Sequence, residues 1–233
     1  MIFDPIAICM VNLGPPVGRF IVAQSVMNRS FRIAVVCVLL TAFAFVAPSA
    51  RGDNGVPRAL AEEFHARLIA VMKEGPALGH AGRARRIGPD VARAFHLPVM
   101  IQIATGAHWR QASPAQQEAL VAAFTRFSTA TYAKNFKKFA GEKFETLGQR
   151  DGPQNTTLVD TILIESSGKR VEITYVMKKG ADAWKIVDVI VDKGISELAL
   201  RRSEFARELK DAGIDSLVAT LNRKADELAV ETS

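Results

Sequence analysis

Apolar side chains recur at helical spacing between residues 114 and 140. Ser113 precedes this pattern as a predicted N-cap, because its hydroxyl can accept a hydrogen bond from a first-turn amide. Pro114 suits the first helical position, which needs no amide donor, and Gln116 completes a capping box. We expect Gly141 to end the helix. Its wide, aromatic-rich apolar face comprises Leu120, Val121, Phe124, Phe127, Tyr132, Phe136 and Phe139.

This face has two interpretations. It either packs on a sheet as a core face, or it also lines a cavity for an apolar ligand, because ligand sites are concave and mostly apolar. Composition and spacing leave both interpretations open.

The segment before this helix predicts three shorter helices. Val56 to Glu74 keeps an apolar face at spacings of three and four, and Gly75-Pro76 should stop it. Ala77 to Gly88 is glycine-rich and predicts a loop. Two further helices are expected, one from Pro89 through Phe95 and one from Pro98 to Ala104, the latter ended by Gly106.

The period of apolar positions changes from about 3.6 to 2 after residue 142. The alternation predicts four strands, and the short turns between the last three favour an antiparallel meander. From Ser196 the helical period returns, with Gly213 between two predicted helices. This order predicts an α+β domain in which helices wrap a twisted antiparallel β-sheet of about four strands. The predicted strands are Lys143 to Arg150, Thr156 to Glu165, Arg170 to Lys178 and Trp184 to Val191.

The N-terminal segment has the layout of a secretory signal peptide. A short basic start at Met27 precedes the apolar run Ile33 to Val46, and small residues follow near a plausible cleavage site. The run is shorter than the ~20 residues that cross a bilayer. We therefore expect residues 1–52 to be an extension plus signal peptide that is removed, with Met27 as the true start. Residues 53–233 would form a single exported domain, located in a bacterial periplasm.

Cysteine and charge usage refine this picture. The two cysteines, Cys9 and Cys37, lie in the segment expected to be removed, which excludes a disulfide framework in the remaining domain. The formal net charge is +6; residues 1–52 hold four basic side chains and one acidic one, so residues 53–233 carry +3. This mild charge does not point to nucleic acid, although Lys134, Lys137 and Lys138 form a local basic cluster.

Candidate catalytic chemistry is sparse. The histidines have no zinc-motif spacing, so we predict no metal ligands. Neither a Gly-x-Ser-x-Gly motif nor a P-loop is present. We expect a non-enzyme without a cofactor; the alternative is a periplasmic hydrolase or isomerase that uses a carboxylate in an apolar cavity. Candidate carboxylates on or beside strands are Asp160, Glu165, Glu172, Asp188 and Asp192.

Three stretches carry a resemblance to a known family. They are Trp109 to Pro114 followed by Gln117, Phe124, Phe127 and Thr131-Tyr132-Ala133; Trp184 to Val189; and Gly194-Ile195-Ser196 with Arg202 and Phe205. Together they resemble the MlaC/Ttg2D (toluene-tolerance) family of periplasmic lipid-binding components of ABC-type systems, over roughly residues 56–221. The run from Ser196 to Phe205, with Arg201 where that family has tyrosine, is similar to the hopanoid-associated HpnM-like branch.

The resemblance implies a shuttle that moves a phospholipid or a hopanoid-type lipid between the inner and outer membranes. Its partners would be an inner-membrane transporter complex and, at the other end, an outer-membrane complex, with Arg201 and Arg202 as docking residues. A structural adaptor with a filled core is a further alternative. Carried onto this sequence, the resemblance implies that the cavity lining consists of Phe124, Phe127, Tyr132, Phe136, Ile162, Ile173, Tyr175 and Ile186.

Overall fold

Helices, a sheet and a further helix follow one another in the computed structural model, which describes residues 56–192 and 194–230. The proposed signal segment lies outside the described residues. The helices are α1 (Val56–Ala94), α2 (Leu97–Thr105), α3 (Ala107–Gln111), α4 (Pro114–Asn135) and α5 (Glu197–Val230). The strands are β1 (Lys143–Gly152), β2 (Thr156–Ile164), β3 (Arg170–Lys179), β4 (Trp184–Val191) and β5 (Ile195–Ser196). Within those two ranges, no helix combines the length and apolarity that crossing a bilayer requires.

The sheet has the spatial order β1-β2-β3-β4-β5, and each neighbouring pair is antiparallel. The α+β class, the antiparallel sheet and its four predicted strands are confirmed. The two-residue strand β5 adds a fifth, because Ile195 pairs with Val191 just before α5 begins. β1 lies at one edge of the sheet.

One face of the sheet packs against the helices. Val171, Ile173, Tyr175 and Met177 alternate with more exposed residues along β3, as the period of two predicts. These side chains join residues of all the long helices in one hydrophobic core. The core therefore lies between the sheet and the helical layer.

The prediction that residues 77–88 form a loop is wrong. α1 continues through Pro76 and is interrupted only at Gly79, whose φ of 60° and ψ of 178° are not helical. Tertiary contacts with α4 outweigh the weak propensity of this glycine-rich segment. Arg83 donates hydrogen bonds to the carbonyls of Ala133 (2.7 Å) and Gly75 (3.0 Å), and the absence of a side chain at Gly88 leaves room for Thr129.

The prediction that Gly141 ends the long helix is also wrong. α4 ends at Asn135, and Phe136 adopts a non-helical conformation with φ −101° and ψ 55°. The Phe136 side chain is buried in the core, and the buried carboxylate of Glu142 accepts a hydrogen bond from the Ala140 amide (2.7 Å). These two inward-facing groups turn the chain five residues earlier than the sequence pattern indicated.

The C-terminal helix bends where the sequence predicts a break. Gly213 has φ 79° and ψ −171°, a conformation that favours glycine. The Glu208 carboxylate accepts hydrogen bonds from Ser216 (2.9 Å) and Thr220 (2.6 Å), so the segments on either side of Gly213 lie against each other.

Candidate functional site

An apolar cavity lies between α1, α2, α4, β4 and the first turns of α5. Its volume is about 30 Å³, close to the space of one water molecule. The walls are therefore almost in contact with one another. The lining residues are Val91, Phe95, Leu97, Met100, Phe124, Phe127, Ser128, Thr131, Tyr132, Val189, Glu197, Leu198 and Arg201.

α4 provides the aromatic wall. Residues three to four positions apart are neighbours on a helix, so Phe127 adjoins Phe124, and Ser128 connects Phe124 to Tyr132 on the same face. The predicted capping box is confirmed: the Gln116 amide donates to Ser113 Oγ (3.2 Å), and the Ser113 amide donates to Gln116 Oε1 (3.1 Å). The cap fixes where the helix begins and therefore which residues face the cavity.

The opposite wall is set by the junction between the sheet and α5. The Asp188 carboxylate accepts hydrogen bonds from the Ser196 hydroxyl (2.6 Å) and the Leu198 amide (3.0 Å). Ser196 Oγ in turn accepts from the Ala199 amide (3.0 Å). Asp188, a candidate catalytic carboxylate by sequence, thus holds the first turn of α5, and this turn brings Glu197 and Leu198 to the cavity.

Glu197 and Arg201 introduce charge into this apolar wall, and both are only 3% exposed. Arg201 lies over the Phe127 ring, with its guanidinium carbon 5.3 Å from the ring centroid, and donates to Glu204 (2.6 Å). The expectation that Arg201 docks on partner proteins is wrong, because its side chain is buried. Arg202, the neighbouring candidate, is exposed.

The structure brings three of the eight predicted lining residues to the cavity: Phe124, Phe127 and Tyr132. Ile173 and Ile186 are buried core residues of the sheet, away from the cavity wall. Ile162 lies on the opposite face of the sheet, because its antiparallel partner is the exposed Glu172. The sequence pattern did not show on which face Ile162 lies. Its neighbours Thr161 and Leu163, which point to the other face, are also buried, so burial does not alternate along this part of β2.

The remaining two, Phe136 and Tyr175, belong to a chain of aromatic rings that leads away from the cavity. Tyr132 contacts Phe136 (centroids 5.8 Å apart), which contacts Phe144 (6.5 Å). His65 stacks on Phe144 (4.2 Å), and its Nε2 lies 3.0 Å from the Tyr175 hydroxyl. Burial lowers the pKa of the His65 imidazole to about 3 and raises the pKa of the Tyr175 hydroxyl above its usual range.

The far end of this ring chain borders a second concavity, which we call the α1–β1 groove. It is wider than the first cavity, with a volume of about 590 Å³. Four of its eight lining residues are apolar, and Glu62 and Lys73 are its charged members. The groove is lined by Glu62, His65, Ala66, Ile69, Ala70, Lys73, Phe144 and Thr146.

The family model for the MlaC protein matches residues 62–223, most of this chain. The chain belongs to the MlaC family. A solved structure of a phospholipid-binding protein from Ralstonia solanacearum, in complex with a phospholipid, is similar in fold. It shares 22% sequence identity at a TM-score of 0.65, and the match covers 75% of this chain and 99% of that one.

Several lining residues of this MlaC-family protein were missed by the sequence analysis. The helix predicted from Pro98 to Ala104 gave no sign that Leu97 and Met100 face a cavity. Val91 and Phe95 lie in the helix predicted from Pro89 through Phe95, and only the tertiary fold shows that they line the cavity. Glu197 carried no signal, since a glutamate in a first helical turn is usually explained by the helix dipole.

No group of three or more potential metal ligands occurs among residues 56–192 and 194–230. The other sequence-derived carboxylates lie outside the cavity. Asp160 accepts hydrogen bonds from Arg150 (3.0 Å) and Thr174 (2.6 Å) on the outer face of the sheet, and Asp192 accepts from the Glu172 amide (3.2 Å). Glu197 is therefore the carboxylate that remains relevant to chemistry in the cavity.

Proposed function

We propose that this protein binds a lipid in the cavity between α4, α2 and α5 and carries it through the periplasm between the inner and outer membranes. One observation carries the proposal: the aromatic face of α4 is turned onto a cavity whose wall is apolar except for Ser128, Thr131, Glu197 and Arg201. Membership of the MlaC family and the phospholipid-binding neighbour support it.

The energetics suit a carrier that performs no covalent chemistry. Each buried methylene group stabilises a complex by ~0.8 kcal/mol, so an acyl chain or a polycyclic skeleton binds through its apolar surface alone. Ligand pockets usually measure about 300–1,000 Å³, and this cavity measures about 30 Å³. Lipid entry therefore requires α2, α4 and the start of α5 to move apart.

We propose a phospholipid or a hopanoid-type lipid as the cargo. The Ralstonia neighbour is described as bound to a phospholipid. The run from Ser196 to Phe205 resembles the hopanoid-associated branch, and its Arg201 lies against Phe127 in the cavity wall. A guanidinium at this depth favours a lipid that carries a hydroxyl or another acceptor along its skeleton.

We further propose that the lipid is received from, or delivered to, an inner-membrane transporter complex and an outer-membrane complex. The signal segment predicted between Met27 and Gly52 would export the chain to the compartment between them. Arg202 is an exposed candidate for contact with these complexes, and Arg201 is excluded by its burial.

Native mass spectrometry of the exported protein, followed by lipid extraction, tests this function. We expect a bound species of lipid mass, whose identity separates a phospholipid from a hopanoid. Phe127→Asp should abolish lipid retention. Ile162→Asp is the matched control, because this isoleucine is equally apolar and buried but lies on the other face of the sheet. A folded Phe127→Asp protein that keeps its lipid would show that the lipid does not occupy this cavity.

A hydrolase or isomerase remains the second candidate because of Glu197. This acid is buried in the cavity wall, which Arg201 also lines, and a buried acid in an apolar site is an arrangement used for acid–base catalysis. The test is incubation of the loaded protein with its own lipid, followed by mass analysis. Conversion that disappears in Glu197→Gln would establish the enzyme, and an unchanged lipid would favour the carrier.

A further inference from the structure

We propose that the chain around Phe139 docks on an anionic bilayer surface. The docking surface consists of Phe139 with Lys137 and Lys138 before it, Lys143 after it, and Lys73 of α1 beside it. We call it the Phe139 surface. This surface is an additional interaction site of the proposed carrier. Its purpose, which rests on the proposed function, is to place the α1–β1 groove against the membrane.

The first observation is an exposed aromatic side chain surrounded by cations. Phe139 is 39% exposed, and the ammonium of Lys73 lies 5.2 Å from the centroid of its ring. Lys138 and Lys143 are exposed, and Lys137 is half-buried. An apolar ring inserts among acyl chains while neighbouring lysines pair with anionic head groups, which is how peripheral proteins attach to membranes.

The second observation is the one-sided charge of this surface. Glu142 is the acidic residue of the segment 134–143, and its carboxylate is buried and accepts the Ala140 amide. Burial, followed by repulsion from Lys137, lowers the pKa of the Lys134 ammonium. Glu74 adjoins Lys73 and is exposed, which leaves the surface positive by several charges.

The third observation is the position of the α1–β1 groove. Lys73 both lines this groove and contacts Phe139, so the groove opens beside the Phe139 surface. Gly75 lies so close to the Lys137 carbonyl that a methyl group has no room between them, which fixes the loop against α1. Docking through Phe139 would therefore bring a groove of about 590 Å³, partly lined by apolar residues, to the lipid surface. A bilayer explains the exposed ring of Phe139 as well as the charge, whereas an acidic protein explains only the charge.

The test is co-sedimentation of the full protein with phosphatidylcholine vesicles that contain about 30 mol% phosphatidylglycerol, and with pure phosphatidylcholine vesicles. Binding should require the anionic lipid and weaken with added salt, because exposed charges are screened. Lys137→Gln with Lys138→Gln should lower the partition coefficient about 30-fold, at about fivefold per lysine. Lys178→Gln with Lys179→Gln, an adjacent pair of exposed lysines on β3, is the control and should change it less than twofold.

Phe139→Ser should weaken binding to the anionic vesicles roughly fivefold, and Ile103→Ser is its control because Ile103 is similarly exposed, at 42%. The docking proposal would be overturned if each control variant lost as much vesicle binding as the variant it is matched to, or if the unaltered protein did not bind the vesicles. Co-purified lipid is measured by native mass spectrometry in every variant. A variant of the Phe139 surface that keeps its lipid but no longer binds vesicles would show that this surface and the cavity act separately. If the unaltered protein carries no lipid, the proposed function is contradicted, and the docking proposal is then decided by the vesicle result alone.

Discussion

The buried histidine His65 strongly prefers the neutral state in the folded protein. His65 is 5% exposed, stacks on Phe144 and shares a hydrogen bond with Tyr175. Burial disfavours the charged imidazolium, which lowers the pKa of His65 from 6.5 to about 3. The folded protein thus holds His65 neutral at pH values where the unfolded chain would protonate it.

This difference predicts acid sensitivity. Between pH 6.5 and about 3 the unfolded state binds the proton at position 65 and the folded state does not, so the free energy of unfolding falls as pH falls. From pH 7 to pH 5 the loss attributable to His65 should be about 2 kcal/mol. Urea unfolding of the original protein and of His65→Gln measures it: the pH slope of the variant should be shallower by that amount. Parallel slopes would show that His65 titrates normally in the folded state.

Gly75 is packed so closely that a single added carbon atom should destabilise the fold. A methyl group at this position would lie 2.1 Å from the Lys137 carbonyl oxygen, and this backbone atom cannot rotate away. We expect Gly75→Ala to lower the free energy of unfolding by about 3 kcal/mol, at the upper end of overpacking costs. Gly148→Ala is the control, since no atom lies within 4 Å of the added methyl group. Similar stability of the two variants in urea would contradict the close packing of α1 on the Lys137 segment.

At the scale of elements, local signals were reliable where one short motif decides the outcome. Ser113, Pro114 and Gln116 predicted the start of α4, and alternation predicted the four long strands. Elements whose limits depend on distant contacts were not predictable. The segment 77–88 is helical because Arg83 binds the end of α4, and α4 ends early because Phe136 is drawn into the core.

The candidate site was predictable only in part for the same reason. The aromatic stripe of α4 indicated Phe124, Phe127 and Tyr132, because a helix has one buried face and its period identifies it. The sheet residues were less certain because β2 buries side chains on both faces, which concealed the orientation of Ile162. Glu197 and Arg201 reach the cavity through the junction at Asp188, a long-range contact that no local pattern encodes.

That junction yields a prediction about an element. Asp188→Ala would remove the acceptor for both Ser196 and the Leu198 amide, and hydrogen bonds to charged groups contribute about 1.5–3 kcal/mol. We expect a loss of about 2–3 kcal/mol of stability in urea and weaker lipid retention, because the first turn of α5 forms one cavity wall. Asp182→Ala, in the exposed turn between β3 and β4, should change stability by less than about 0.5 kcal/mol. Unchanged lipid retention in a destabilised Asp188→Ala protein would separate this junction from the site.

At the scale of the whole molecule, the proposed binding of a lipid in a cavity of about 30 Å³ requires this cavity to expand. Its walls come from separate elements, α2, α4 and α5; Gly106, with φ 57°, lies in the segment between α2 and α4, and the sheet lies between α4 and α5 in the chain. Binding energy from the lipid must exceed the cost of parting these walls. A lipid that binds the folded state then stabilises it by mass action.

Titration of lipid-free protein with a phospholipid should therefore raise its unfolding midpoint. At a free lipid concentration of 100 Kd the gain is about 2.7 kcal/mol, or roughly 5–10 °C for a domain of this size. Ser128→Leu places a larger apolar side chain in the half-buried wall of the cavity, and Ser128→Val is the milder version. Both should unfold near the midpoint of the lipid-free protein and lose the lipid-dependent shift, because the added groups occupy the space into which the walls would open. If lipid raised the unfolding midpoint of both variants as much as that of the original protein, the bound lipid would lie outside this cavity. The α1–β1 groove would then be the next region to test, by enlarging the side chain of Ala66 in the same way.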